Sequence, residues 1–313
     1  MSRMKWELIT TVVGSYPSEP SKTELMGGMY GKDPYLKSIA RAVTDQIGAG
    51  VDIISDGQTR GDIIRIFTNR IGGLSEIDGI IQVVGRIQHN QDILGEDFKY
   101  AKGVAEEKAL LKGVLTGPNT IASFLQNQYY CVKKSMLFDL AGVLAVEAKK
   151  LSDSGAVLIQ IDEPILSSGK VDLEEAKDAL EVITNVVDKP VAMHVCGDVN
   201  MLYPKLLEFP VDILDHEFTR NPTLLDNLYE YNFDKKIGYG CVDSISERVE
   251  SIGEIKKRIE EALRYFDPKD ILIDPDCGLR SISRESAYQK LVNMVKAKEE
   301  VIKEYKGEEK KDN

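Results

Sequence analysis

Residues 190–198, PVAMHVCGD, join a short apolar run to an abrupt cluster of imidazole, thiol, glycine and carboxylate. The run is short and bounded by turn residues, which predicts a buried strand over Pro190–His194, with the polar cluster just past its carboxyl end. Working outward, the same grammar recurs. Runs at Leu8–Val13, Val51–Ser55, Gly113–Leu115, Ala156–Ile161, Val211–Leu214, Lys236–Tyr239 and Ile271–Ile273 bring the strand candidates to eight. Between them, Tyr35–Ala49, Lys134–Ser152, Leu173–Val186, Glu254–Tyr265 and Arg284–Tyr305 repeat apolar residues at three- and four-residue spacing, the period of a helix packed on one face. Ser281 or Ser283 is placed to cap the last of these.

Strand and helix alternating in this way predict an α/β protein built from parallel units, and eight such units most simply form a (β/α)8 TIM barrel. An open doubly wound sheet is the alternative on pattern alone. Residues 73–112 break the rhythm with an apolar segment around Ile80–Ile87 and a charged helical segment near Tyr100–Leu111, which predicts an insertion after the second strand. No Pro- or Gly-rich linker divides the chain, so residues 1–306 are expected to form a single domain. Residues 307–313, GEEKKDN, are expected to be a disordered, solvated tail.

The composition is that of an ordinary globular chain, 42% hydrophobic and 29% charged, with a net charge of -11 spread along its length. Binding to phosphate backbones or anionic headgroups needs clustered Lys and Arg, and none stands out, so neither nucleic acid nor membrane is the expected partner. No apolar run nears the ~20 residues that span a bilayer, and Met1–Thr10 lacks the apolar core of a secretion signal, so the expected location is cytoplasmic. In that compartment Cys131, Cys196, Cys241 and Cys277 are read as packing or metal-binding thiols, not as a disulfide framework.

The chemistry-bearing residues gather past predicted strand ends, where barrels converge their active-site loops. AMHVCGD offers His194 and Cys196, whose side chains point the same way in extended chain. LDHEFTR offers His216 and Glu217, adjacent residues of which only one faces a given point. DPDCGL offers Asp276 and Cys277, and Cys241 after the seventh strand is a reserve donor. A pool of thiolate, imidazole and carboxylate is the donor set of zinc, one ion per chain. Cys131 is expected in a helix as inert packing and His89 at the surface. In IQIDEPIL, Asp162 and Glu163 end the fourth strand, where a carboxylate binds an ammonium group or acts as a base. TTVVGSYP ends the first strand with Gly14, which permits close backbone approach, and Ser15, which supplies a hydrogen-bond donor.

Taken together, TTVVGSYP, KGVLTGPNTI, IQIDEPIL, HVCGD, EFTR, IGYGCVD and DPDCGLRSISRESAYQKLVNMVKA resemble the catalytic C-terminal barrel of cobalamin-independent methionine synthases over nearly the whole chain. The resemblance implies zinc ligands at His194, Cys196, Glu217 and Cys277, which selects Glu217 over His216 and Cys241. It implies a homocysteine site at Val13, Gly14 and Ser15, with Gln58 beside them, and gives Asp162 the catalytic task of holding the substrate amino group. It also implies methyl transfer to the homocysteine sulfur, yielding methionine. Three positions depart from the family pattern: Gln58 replaces a glutamate, Ile245 a histidine, and Phe124 the tryptophan against which folate packs. The long N-terminal domain of the full-length enzymes has no counterpart here. The thiol side of the site is thus retained and the folate side altered, as in short archaeal members, which implies a methylated corrinoid donor, free or carried by a protein. Two other readings fit the same residues: transfer to another thiol such as coenzyme M, and a zinc-stabilised binding module without turnover.

Overall fold

In the computed structural model, which describes residues 8–228 and 234–309, each of the eight expected runs overlaps a strand, and five of the strands extend past the carboxyl end of the expected run. They are β1 (Ile9–Thr10), β2 (Ile53–Ile54), β3 (Gly113–Thr116), β4 (Ile159–Asp162), β5 (Val191–His194), β6 (Ile213–Glu217), β7 (Lys236–Val242) and β8 (Ile271–Pro275). Seven share one sheet in the order β1-β8-β7-β6-β5-β4-β3, and β2 meets β1 through a parallel bridge between Ile53 and Thr11. The β1–β8, β7–β8, β3–β4 and β4–β5 pairings are parallel. The fold is therefore a (β/α)8 barrel-like α/β architecture, the simpler of the two arrangements that the strand-helix alternation allows. Apart from the half-exposed Lys236 at the start of β7, every residue of these strands is buried. Burial on both faces explains why they read as continuous apolar runs.

Two compact units make up the chain: Met1–Thr59 with Val104–Leu110 and Asp215–Asn313, and Arg60–Gly103 with Leu111–Leu214. In the first, helix Leu36–Gly48 buries Ser38, Ile39, Ala42, Val43 and Gln46, the stripe its sequence spacing predicts. Gln46 uses its carboxamide as a strand partner: Ser55 N–H donates to its Oε1 at 3.0 Å and its Nε2 donates to the Ser55 carbonyl at 3.1 Å, holding the chain after β2 against the helix. The last helix runs Arg284–Glu309, and Ser283 caps it, accepting from Ser286 N–H at 3.2 Å. The helix thus continues into the segment expected to be a tail, and residues 310–313 of that segment, like Met1–Glu7, lie outside the described residues.

In the second unit, the segment expected as an insertion contains an antiparallel hairpin, Ile71–Ile77 paired with Ile80–His89. Its turn is Asp78-Gly79, with φ of 52° and 78°. Both residues in the left-handed region make the turn whose twist matches a hairpin, and Asp-Gly is the dipeptide that tolerates it. A helix follows at Gly95–Ala105, five residues earlier than the charged pattern suggests, because the Asp92 carboxylate accepts Glu96 N–H at 2.9 Å and starts the turn there. The hairpin end is anchored to helix Lys133–Asp153: the fully buried Glu147 accepts from Ile93 N–H (3.1 Å), Leu94 N–H (2.9 Å) and the ring of His89. His89 is thus half-buried and paired, not the free surface residue its loop context suggests. Cys131 is exposed in the turn before that helix and not packed within it, because the helix begins only at Lys133. Among the described residues, no helix is long and apolar enough to cross a membrane.

Candidate functional site

The end of β4 and the end of β5 lie side by side. Their parallel register makes Asp162 and His194 direct partners, and Glu163 N–H donates to the His194 carbonyl at 2.9 Å. Cross-strand partners in a parallel pair project from the same face, so the Asp162 carboxylate and the His194 imidazole are neighbours by construction. Asp162 is buried and accepts from Gln160 Nε2 at 2.7 Å.

The adjacent Glu163 is fully buried, and its two oxygens take four donors: Asn119 N–H and Nδ2 at 2.9 Å each, Thr120 N–H at 2.8 Å and Thr120 Oγ1 at 2.6 Å. Burial pushes its carboxyl above the usual carboxylate range, against the pull of these donors. Glu163 is thereby committed to holding the GPNT turn that starts helix Pro118–Ser123. Of the two carboxylates in IQIDEPIL, Asp162 is the one without that structural duty.

The other strand ends are cross-braced in a different way. Ser55 Oγ donates to the Gly14 carbonyl at 2.6 Å, and Tyr16 N–H donates to the Gly57 carbonyl at 3.0 Å. Gly57 has φ of 82° and so close a packing that a Cβ there would lie 2.5 Å from that of Ala42, which excludes other residues on both counts. Leu279 N–H donates to the Ser15 carbonyl at 2.8 Å, and the Arg280 guanidinium bonds the Gln58 carbonyl. VGSY, SDGQ and DCGLR therefore form one connected bed, holding Val13, Ser15 and Gln58 beside the loop that carries Cys277. Val13 and Gln58 are buried, and Ser15 is half-buried.

Asp276, next to Cys277, accepts from Thr219 N–H (2.9 Å) and Arg220 N–H (3.1 Å), fastening the EFTR segment after Glu217. Burial, with the Glu217 and Asp243 carboxylates nearby, pushes its carboxyl up to about 8 in spite of these bonds.

One nitrogen of His194 and the sulfurs of Cys196 and Cys277 lie within 4.8 Å of one another. Two sulfurs and an imidazole suit a borderline-soft ion such as zinc and not the oxygen-seeking magnesium or calcium. Glu217 is not in this group of three; it is buried with its Oε1 3.6 Å from the Arg220 guanidinium. His216 is fully buried and is also outside the group. Cys241 is likewise fully buried outside it, and burial holds its thiol well above the ordinary range, aided by Asp274 and Asp276. Phe124 and Ile245, two of the positions that depart from the family pattern, are exposed.

Residues 8–300 match the family described as cobalamin-independent synthase, catalytic domain, and the chain belongs to that family. It is 44% identical over 307 residues to the methionine synthase of Methanothermobacter thermautotrophicus, covering 93% of this chain and 99% of that protein. With the methionine synthase of Saccharolobus solfataricus it shares 35% over 320 residues, 96% of each chain. Among solved structures, a B12-independent methionine synthase from a Shewanella species in complex with selenomethionine superposes with a TM-score of 0.81 at 23% identity, over 96% of this chain and 99% of that one. A methyltransferase from Methanosarcina mazei gives 0.62 at 17% identity, over 95% and 96%. At these identities the structural matches speak for the fold.

Proposed function

We propose that this chain is a homocysteine S-methyltransferase that forms methionine, with one zinc ion held by His194, Cys196, Cys277 and Glu217 and a methylated corrinoid as donor. The carrying observation is the convergence of the His194 nitrogen with the Cys196 and Cys277 sulfurs, from strand ends far apart in sequence, in a chain 44% identical to a methionine synthase. Zinc supplies a Lewis acid that lowers the pKa of a coordinated thiol and so provides the thiolate, the nucleophilic form of sulfur.

The chain's own residues do the rest. Asp162 binds the substrate ammonium beside His194, and Ser15, with the backbone of Val13 and Gly14, receives the polar end of the amino acid. Gln58 takes part through its neutral carboxamide, with one charge fewer than the family's glutamate. Fixing the amino acid at that end leaves its sulfur to meet the methyl group in line, which is a positioning contribution. The sulfur forms its bond to the methyl carbon as the bond from that carbon to the donor breaks, the electron pair staying with the donor. Support for a corrinoid in place of methyl-folate comes from Phe124, which stands exposed where the family stacks folate on tryptophan.

Incubation with homocysteine and, in parallel, methylcobalamin, a methylated corrinoid protein and methyl-pterins, scoring methionine, tests both parts. Methionine from a corrinoid is expected. Methionine from methyl-pterins alone overturns the donor assignment, and none from any donor overturns the reaction.

A further inference from the structure

Beneath Asp162 the sheet buries two more polar side chains that the reaction described so far does not use. Residues two apart on a strand share a face, and the register pairs Val114 with Gln160 and Thr116 with Asp162. Gln160, Asp162 and Lys112, one residue before β3, therefore fall on one face of the β3–β4 pair. Lys112 is 2% exposed, Gln160 0% and Asp162 7%. The Lys112 ammonium donates to Gln160 Oε1, and Gln160 Nε2 donates to Asp162 Oδ1 at 2.7 Å.

An ammonium can only donate and an ionised carboxylate can only accept, so a carboxamide between them has one orientation that satisfies both. Lys112 thus dictates which end of Gln160 faces Asp162. It also polarises the amide, which strengthens the N–H offered to the carboxylate. Burying an ammonium is costly, and apolar residues would fill the same volume without that cost.

We propose that Lys112 and Gln160 are positioning residues for Asp162: through the Gln160 amide, the buried Lys112 ammonium locks the Asp162 carboxylate in one rotamer, set to receive the substrate ammonium. This rests on the reading of Asp162 as the ammonium site. Recognition of the amino group is then a property of a three-residue array, and its loss weakens only ligands that carry that group.

The test measures calorimetric affinities of the zinc-supplemented protein for L-homocysteine and for 4-sulfanylbutanoate, which lacks only the amino group. Wild type is compared with Gln160→Met, the double variant Lys112→Met/Gln160→Met, and Asp162→Asn. The double variant removes the Lys112 ammonium together with its Gln160 partner, so that ammonium is not left buried and unpaired, and it reports even where Gln160→Met does not fold. The expected result is homocysteine affinity reduced about tenfold in all three, with 4-sulfanylbutanoate affinity unchanged. A selective loss in Asp162→Asn but not in the Gln160 variants overturns the array and leaves Asp162 in its role. Equal losses for both ligands in the Gln160 variants reduce Lys112 and Gln160 to structural support and overturn the proposal. Unchanged selectivity in Asp162→Asn removes the reading on which it rests.

Discussion

The Ser15 hydroxyl lies against the backbone of Gly278, so close that a methyl group at residue 278 would fall 2.1 Å from Ser15 Oγ. No side chain but hydrogen fits between Ser15, the serine proposed to bind the substrate, and the loop bearing Cys277. Gly278→Ala is accordingly expected to turn the hydroxyl away at a stability cost of about 1 kcal/mol, since only a small side chain must move. Homocysteine affinity should drop about tenfold, the order expected for one lost hydrogen bond to a charged group. Titration calorimetry alongside thermal unfolding separates the two effects. The double variant Ser15→Ala/Gly278→Ala should recover the stability without the affinity, and wild-type affinity in the single variant would remove Ser15 from the site.

Cys277→Ser should abolish zinc binding while leaving the fold intact. The core spans β1 to β8 and most of the helices, whereas only very small domains depend on a metal to fold. Metal analysis after dialysis is expected to fall from about one zinc per chain to less than about a tenth, with the far-ultraviolet circular dichroism unchanged. Loss of the folded signal together with the metal would contradict this separation.

Glu163→Gln should be costly despite its near-identical shape. The carboxylate accepts four donors, and a carboxamide turns an NH2 group toward at least one of them. A buried donor facing a donor costs about 1–3 kcal/mol, more where a charged group was involved. Urea denaturation should show the midpoint lowered at constant slope. A neutral outcome would mean that the GPNT turn is held by something other than this residue.

The thiols should react in an order set by exposure. Cys131 is exposed and Cys241 fully buried with its thiol kept protonated, and only the thiolate alkylates readily. Iodoacetamide on the native protein, read by peptide mass spectrometry, should label Cys131 first and Cys241 only after unfolding. Protection of Cys196 and Cys277 by added zinc is the companion expectation, and early labelling of Cys241 would speak for a far more open β7.

Much of this molecule was legible before folding. The eight strands announce themselves because each is buried on both faces, which demands continuous apolar sequence, and the helices because each buries a single stripe, as Leu36–Gly48 does with Ile39, Ala42, Val43 and Gln46. The Asp78-Gly79 turn was written plainly too, yet the hairpin around it escapes a reading that follows only the repeating strand-helix rhythm. Lys112 and Gln160 left a faint signal as polar residues at alternate positions flanking and within apolar strands, with nothing local to say that they touch.

Sequence by itself determined the period of each element and the polar punctuation at each strand end, since both depend on neighbours a few residues apart. Only the tertiary structure decided that Glu163 is consumed by Asn119 and Thr120, that Cys241 is fully buried, and that Cys277 meets His194 and Cys196. The reason is physical: those outcomes depend on the register between strands and on which volumes close around a side chain. Register is a cooperative property of residues tens of positions apart, and no local pattern encodes it.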